Sequence, residues 1–193
     1  STSKLVISPD ESSAIVVKQN SQEPYVYDIV SRKIKCQLLG HNDTVSHVSY
    51  SSNGKYIATC SADSTIRIWD PQSGQCIKTL PFDAPIWCEF DNNTTQLLVV
   101  GEQSSATFET DNCNRNWSIQ HEEKPATVVY NNSYICLRDD GSSAINTINK
   151  SNGVKEKADT DCGMALIAAE RIMALNPNAP ILYYISGDFG NMA

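Results

Sequence analysis

The stretch VSHVSYSSNGKYIATCSADSTIRIWDPQSGQCIKTL, residues 45–80, decides the fold. β-Branched and aromatic runs alternate in it with clusters of Ser, Asn, Asp, Gly and Pro, the pattern of strands separated by tight turns. It divides into strand Val45–Tyr50, turn Ser51–Lys55, strand Tyr56–Ser61, turn Ala62–Ser64, strand Thr65–Asp70, turn Pro71–Gln75 and strand Cys76–Leu80. That is a four-stranded antiparallel meander. No window of the chain carries a convincing helical stripe, so the chain reads as all β.

The unit recurs. Aligned on the residue that ends the first strand, Ile7, Tyr50, Phe90 and Tyr130 lie 43, 40 and 40 positions apart. The pairs that end the third strand, Tyr27-Asp28, Trp69-Asp70, Phe108-Glu109 and Ile148-Asn149, are separated by 42, 39 and 40. A four-stranded unit of about 40 residues is the size of one β-propeller blade, whose faces are buried by its neighbours. The expected architecture is four blades and part of a fifth, a fragment of a larger propeller. The units run about 3–40, 41–80, 81–120 and 121–158, with a partial unit at 171–193 built on strands Ile172–Leu175 and Ile181–Ser186 and a turn Gly187–Gly190. The stretch Asp159–Glu170 fits the period poorly and reads as an insertion, a blade edge or a short helix.

Residues 38–80 resemble a repeat of the WD-repeat propeller family. Gly40-His41 precedes the meander, Ser61-Ala62-Asp63-Ser64-Thr65-Ile66-Arg67-Ile68 fills its middle, and Trp69-Asp70 closes its third strand. The first unit keeps only Ser8-Pro9-Asp10 and Tyr27-Asp28, and the third and fourth keep only spacing and turn chemistry. The resemblance implies a whole propeller of seven blades, of which this chain is a fragment, and a structural tetrad of His41, Ser61, Asp63 and Trp69. Asp63 would accept from His41, His41 would meet the Ser61 hydroxyl, and Ser61 would accept the Trp69 indole N–H, so that buried polar groups satisfy one another. The same residue types make hydrolase triads, but the tetrad reading assigns them to the fold.

The 193 residues are 40% hydrophobic and 19% charged, with nine Gly and eight Pro, a composition that folds. The longest apolar run, Met164 to Ala169, falls far short of the ~20 residues that span a bilayer, so no membrane role is expected, and Ser1-Thr2-Ser3-Lys4 does not read as a leader. Seven scattered cysteines without a Cys-x-x-Cys pair read as free thiols of a cytoplasmic or nuclear protein, with neither zinc nor another cofactor. Catalysis needs converging titratable groups, yet only His41, His47 and His121 occur, and the inner strands Leu5-Val6-Ile7, Val45–Val48 and Ala126–Val129 are mostly apolar or small. The expectation is therefore no enzyme, with a propeller hydrolase as the alternative. Alternation places His47 with Val45 and Ser49 on one side of its strand, His121 falls in an exposed loop, and Trp87 and Trp117 read as core.

Residues 1–80 carry 8 basic and 7 acidic side chains and residues 81–193 carry 7 and 15. In the repeat register the excess acid lies in loops at one end of the blades, including Asp43, Asp83, Glu102, Glu122, Glu123, Asp139 and Asp140. This end is the candidate partner-binding face, suited to a basic protein or peptide, because a clustered field speeds association with ligands of opposite sign. The basic cluster Arg32-Lys33-Ile34-Lys35 lacks the interleaved aromatics of a nucleic-acid surface, so direct nucleic-acid binding is not expected. The resemblance implies a non-catalytic scaffold or adaptor within a multiprotein assembly; a subunit for RNA processing or ribosome assembly that contacts RNA is the other reading.

Overall fold

The computed structural model describes residues 4–121, 125–130, 134–139, 145–149, 152–156 and 182–184. Residues 1–120 and 121–193 form two compact units. The first unit holds three four-stranded antiparallel sheets, each ordered as the strands follow in sequence. Sheet one comprises β1 (Lys4–Ile7), β2 (Ser13–Val17), β3 (Tyr25–Asp28) and β4 (Lys33–Gln37). Sheet two comprises β5 (Val45–Tyr50), β6 (Ile57–Ser61), β7 (Thr65–Trp69) and β8 (Cys76–Pro81). Sheet three comprises β9 (Pro85–Phe90), β10 (Gln96–Gly101), β11 (Ser104–Glu109) and β12 (Arg115–Gln120).

The second unit holds β13 (Pro125–Tyr130), β14 (Tyr134–Asp139), β15 (Ile145–Asn149), β16 (Lys155–Glu156) and β17 (Leu182–Tyr184) in one sheet ordered β16-β15-β14-β13-β17. Strand β17 falls within the expected partial fifth unit and pairs in parallel with β13, Val128 opposite Leu182. Asp159–Glu170, Ile172–Leu175 and Gly187–Gly190 lie outside the described residues.

The repeat is a repeat of backbone shape. One cross-strand row recurs in all four sheets: Ile7–Ala14–Tyr27–Ile34, Tyr50–Ile57–Trp69–Cys76, Phe90–Leu97–Phe108–Arg115 and Tyr130–Ile135–Ile148–Lys155. The turn after the first strand holds Glu11, Gly54 or Thr94 at φ 58°, 69° and 59°, and the turn after the third holds Arg32, Gly74, Cys113 or Gly153 at φ 56°, 73°, 61° and 72°. A left-handed residue lets a tight turn feed the next strand in register, and glycine takes it most cheaply. An Asp or Asn side chain then accepts a backbone N–H two or three residues on: Asp10 from Ser12, Asn53 from Lys55, Asp28 from Ser31, Asp70 from Gln72, Asn112 from Asn114 and Asn152 from Val154.

A bulge also recurs. Val45 pairs with Ser61 and His47 with Cys60, so Ser46 is an extra residue, and Ile86 and Ala126 are skipped in the same way in β9 and β13. It breaks the expected alternation of β5. Val45, Val48 and Tyr50 pack in one cluster, while the His47 ring stands 6.0 Å from that of Trp87 and bonds to the Cys88 carbonyl at 3.1 Å.

Two apolar seams bind the three sheets of the first unit. Ile15, Val17, Val26 and Leu38 from sheet one and its following linker meet Val48, Tyr50, Ile57 and Trp69. Ala58, Cys60, Ile66 and Ile68 of sheet two meet Cys88, Phe90, Leu97, Val99 and Phe108 of sheet three. Trp87 is 1% exposed, as core packing requires, whereas Trp117 is half-buried on the outer strand β12.

Candidate functional site: a sealed hydrogen-bond chain and an acidic loop end

Tight strand-to-strand geometry aligns side chains of the second sheet into one hydrogen-bonded chain. The Trp69 indole Nε1–H donates to Thr59 Oγ1 at 2.9 Å, Thr59 Oγ1 stands 2.6 Å from His41 Nε2, and His41 Nδ1 stands 2.9 Å from Asp63 Oδ2. Every group is satisfied when Thr59 donates to Nε2 and His41 carries its proton on Nδ1, facing the carboxylate. The Asp63 carboxylate also accepts from the backbone N–H of Asn42 and from both N–H and hydroxyl of Thr65.

His41, Asp63 and Trp69 thus come together as expected, but the hydroxyl that joins them belongs to Thr59. Ser61 is corrected. Its hydroxyl donates to the Asp43 carbonyl at 2.9 Å and accepts from the Asp63 N–H at 3.2 Å, so it fixes the loop before β5 and the β6–β7 turn. The reason is register. Thr59 pairs with Arg67, two residues before Trp69, which puts its hydroxyl on the face that carries the indole. Ser61, two residues further on, lies level with the turn.

Burial shapes the electrostatics. Loss of solvent lowers the His41 pKa, against the opposing pull of the Asp63 carboxylate, so the ring stays neutral as the hydrogen-bond chain requires. Burial alone would raise the Asp63 pKa, but the hydrogen bonds from Thr65, Asn42 and His41 outweigh it and hold the carboxyl at about 2. A hydroxyl, an imidazole and a carboxylate in a row are the parts of a nucleophilic triad. Here they are closed to substrate: Thr59 and Trp69 are 0% and His41 4% exposed, and the hydroxyl already accepts the indole N–H. Among the described residues no group of three or more His, Cys, Asp and Glu is disposed to hold a metal ion.

What the chain does is mechanical. It ties the linker before β5 to the β6–β7 turn, aided by the bond from Ala62 N–H to the Thr44 carbonyl. Glu102 N–H to the Ala84 carbonyl joins the matching loop and turn of sheet three. Asp43 and Asp83 are exposed on these loops and Glu102 is half-buried in the β10–β11 turn. Asp139, read as a turn residue, is the last residue of β14, paired with Pro125. Glu122, Glu123 and Asp140 lie outside the described residues.

Comparison with known proteins adds to this. The family profile described as WD domain, G-beta repeat matches residues 32–70. Among curated proteins, the chain is 36% identical over 61 residues to a ribosome biogenesis protein BOP1 homolog of Arabidopsis thaliana, covering 32% of this chain and 8% of that protein. It is 38% identical over 65 residues to eukaryotic translation initiation factor 3 subunit I of Botryotinia fuckeliana, covering 33% of this chain and 19% of the relative. The chain therefore matches well under a quarter of the length of either relative. Among solved structures it superposes on Kuenenia stuttgartiensis hydrazine synthase with a TM-score of 0.70 at 16% identity, covering 79% of this chain and 47% of that one. At that identity the likeness speaks for the fold alone, which is a β-propeller type.

Proposed function

We propose that this chain, which belongs to the WD-repeat family, is a non-catalytic scaffold that presents the acidic loop end of its sheets to a basic protein or peptide within a cytoplasmic or nuclear assembly. One observation carries the reading: the residues that could do chemistry, His41, Thr59 and Asp63, are spent on clamping a loop to a turn. A clamped loop is a preorganised one. Ordering it costs nothing further at the moment of binding, so more of the contact energy appears as affinity. Asp43 and Asp83, exposed on two successive loops of this end, supply the charge that a basic partner would meet.

The names of the relatives, a translation initiation factor subunit and a ribosome biogenesis protein, support service within a large assembly and leave the partner open. The test is charge reversal. Asp43→Lys with Asp83→Lys should slow association with the native partner and flatten its salt dependence, because exposed charges act by steering over the ~8 Å Debye length of physiological salt. Arg32→Glu, in the β3–β4 turn, with Lys33→Glu, at the start of β4, is the control. If rates at low and high salt respond alike to both pairs, or to neither, the acidic loops are not the docking surface.

A further inference from the structure

Arg67, in the middle of β7, is half-buried, and its guanidinium lies 5.8 Å from the centre of the Trp69 ring. Its Nε–H is enclosed and has no acceptor, and Nη1 has the Cys76 sulfur at 3.9 Å. Among the described residues no carboxylate is paired with it. An arginine taken partly out of water is ordinarily matched by a carboxylate or by carbonyls, because donors left without acceptors cost free energy. Here the protein leaves the charge unbalanced.

The fold also makes room for this group. A Cβ at position 40 would stand 2.5 Å from Arg67 Nη1, and the backbone there has φ 146°, so glycine is needed on both counts. The repeat itself does not call for a cation. Arg67 opposes Thr59, and the equivalent places hold Tyr25 opposite Val16 in sheet one and Ala106 opposite Val99 in sheet three. The surroundings are open to solvent. Thr79, across from Arg67, and Cys76 are exposed, with the Thr79 hydroxyl 3.5 Å from the Cys76 sulfur, and Leu39, next to Gly40, is 56% exposed.

We propose that Arg67 is a binding site for one carboxylate group, supplied by an acidic residue of a partner polypeptide seated beside Gly40 and Thr79. Charge and shape fix the ligand class. One guanidinium balances one negative charge, and its two Nη groups match a planar carboxylate in parallel hydrogen bonds. Lys78, the neighbour of Thr79 along β8, pairs with Ile68 and so belongs to the other face of the sheet, which leaves a phosphate dianion without a second cation. Leu39 adds exposed apolar surface for the residue next to the acid. This contact is separate from the acidic loops, so one scaffold would hold an acidic partner and a basic one at different places.

Cys76, beside the guanidinium, is a built-in reporter. With the wild-type full chain, tetraglutamate should slow alkylation of Cys76 by iodoacetamide several-fold, and tetraglutamine should not. The protection should fade as salt rises, since an exposed ion pair is screened. Arg67→Gln should abolish it, and Arg67→Lys, which keeps the charge and loses the fork, should retain only part. Cys113, in the β11–β12 turn, should alkylate at the same rate throughout. Equal alkylation of Cys76 with tetraglutamate and tetraglutamine would overturn the proposal, and that comparison needs no variant to fold. So would protection that survives Arg67→Gln, since the peptide would then bind elsewhere. Stronger protection by inorganic phosphate than by tetraglutamate would also overturn it, because the site would then be one for phosphoryl groups.

Discussion

Replacing Thr59 by Val removes one hydroxyl and almost no volume, and it tests which residue joins the buried chain. The substitution strands two enclosed groups at once, the Trp69 indole N–H and the His41 Nε2, which lie 2.9 Å and 2.6 Å from that oxygen. Each buried group left without a partner costs about 1–3 kcal/mol, so the loss should total about 2–6 kcal/mol. Ser61→Ala instead removes one bond to the Asp43 carbonyl and one from the Asp63 N–H, next to exposed loop residues that water can reach, and should cost about 1 kcal/mol. Urea unfolding followed by tryptophan fluorescence reads both as shifts in midpoint at unchanged slope. A cycle of Thr59→Val with Trp69→Phe should be strongly non-additive, because the two residues share one hydrogen bond. A Ser61→Ala loss equal to or greater than that of Thr59→Val would refute the assignment and restore Ser61 to the tetrad.

Stability should fall in mild acid because of His47. Burial, and then the nearby Lys4 ammonium, lower its pKa from 6.5 to about 3, so the folded protein refuses a proton that the unfolded chain takes up. The stabilisation is whole above pH 6.5 and is lost as pH falls from there toward 3, at up to ~1.4 kcal/mol per unit for one group. His47 keeps partial exposure, so about half that slope is expected, and His47→Asn, which retains a donor toward the Cys88 carbonyl, should flatten stability measured at pH 7 and pH 4.5. Gly74→Ala should destabilise by more than the ~1 kcal/mol of Gly54→Ala in denaturant titrations. Both glycines have positive φ, but a Cβ at Gly74 would stand 2.6 Å from the Gln37 carbonyl oxygen whereas one at Gly54 meets open space. Equal losses would show that no such contact exists.

The strand pattern and the period were legible because side-chain alternation and turn residues are local properties. The meander of residues 45–80 is recovered to within a residue at each strand end, Tyr56 and Asp70 being left outside their strands. The left-handed turn at Arg32 and Cys113 was not legible, since neither side chain favours that conformation, and only the ladder on either side imposes it. Nor was the bulge at Ser46, which carries no glycine and moves His47 to the other face. The site was half legible for the same reason. His41, Asp63 and Trp69 are distinctive residue types at fixed places, but Thr59 and Ser61 are both small hydroxyl residues on one strand, and only cross-strand register separates them.

The linker between the first two sheets is sewn into both. Leu38 is 0% exposed within the first seam and its N–H is held by the Pro24 carbonyl, while His41, three residues on, completes the hydrogen-bond chain of the second sheet. The boundary at residue 40 that the sequence period suggests is therefore a poor place to cut. A chimera that swaps repeats there would part His41 from one sheet or Leu38 from the other. Joining within the β5–β6 turn instead, where Gly54 has open space around it, would leave both attachments whole, so the exchangeable module of this protein runs from turn to turn and is offset from the repeat that its sequence displays.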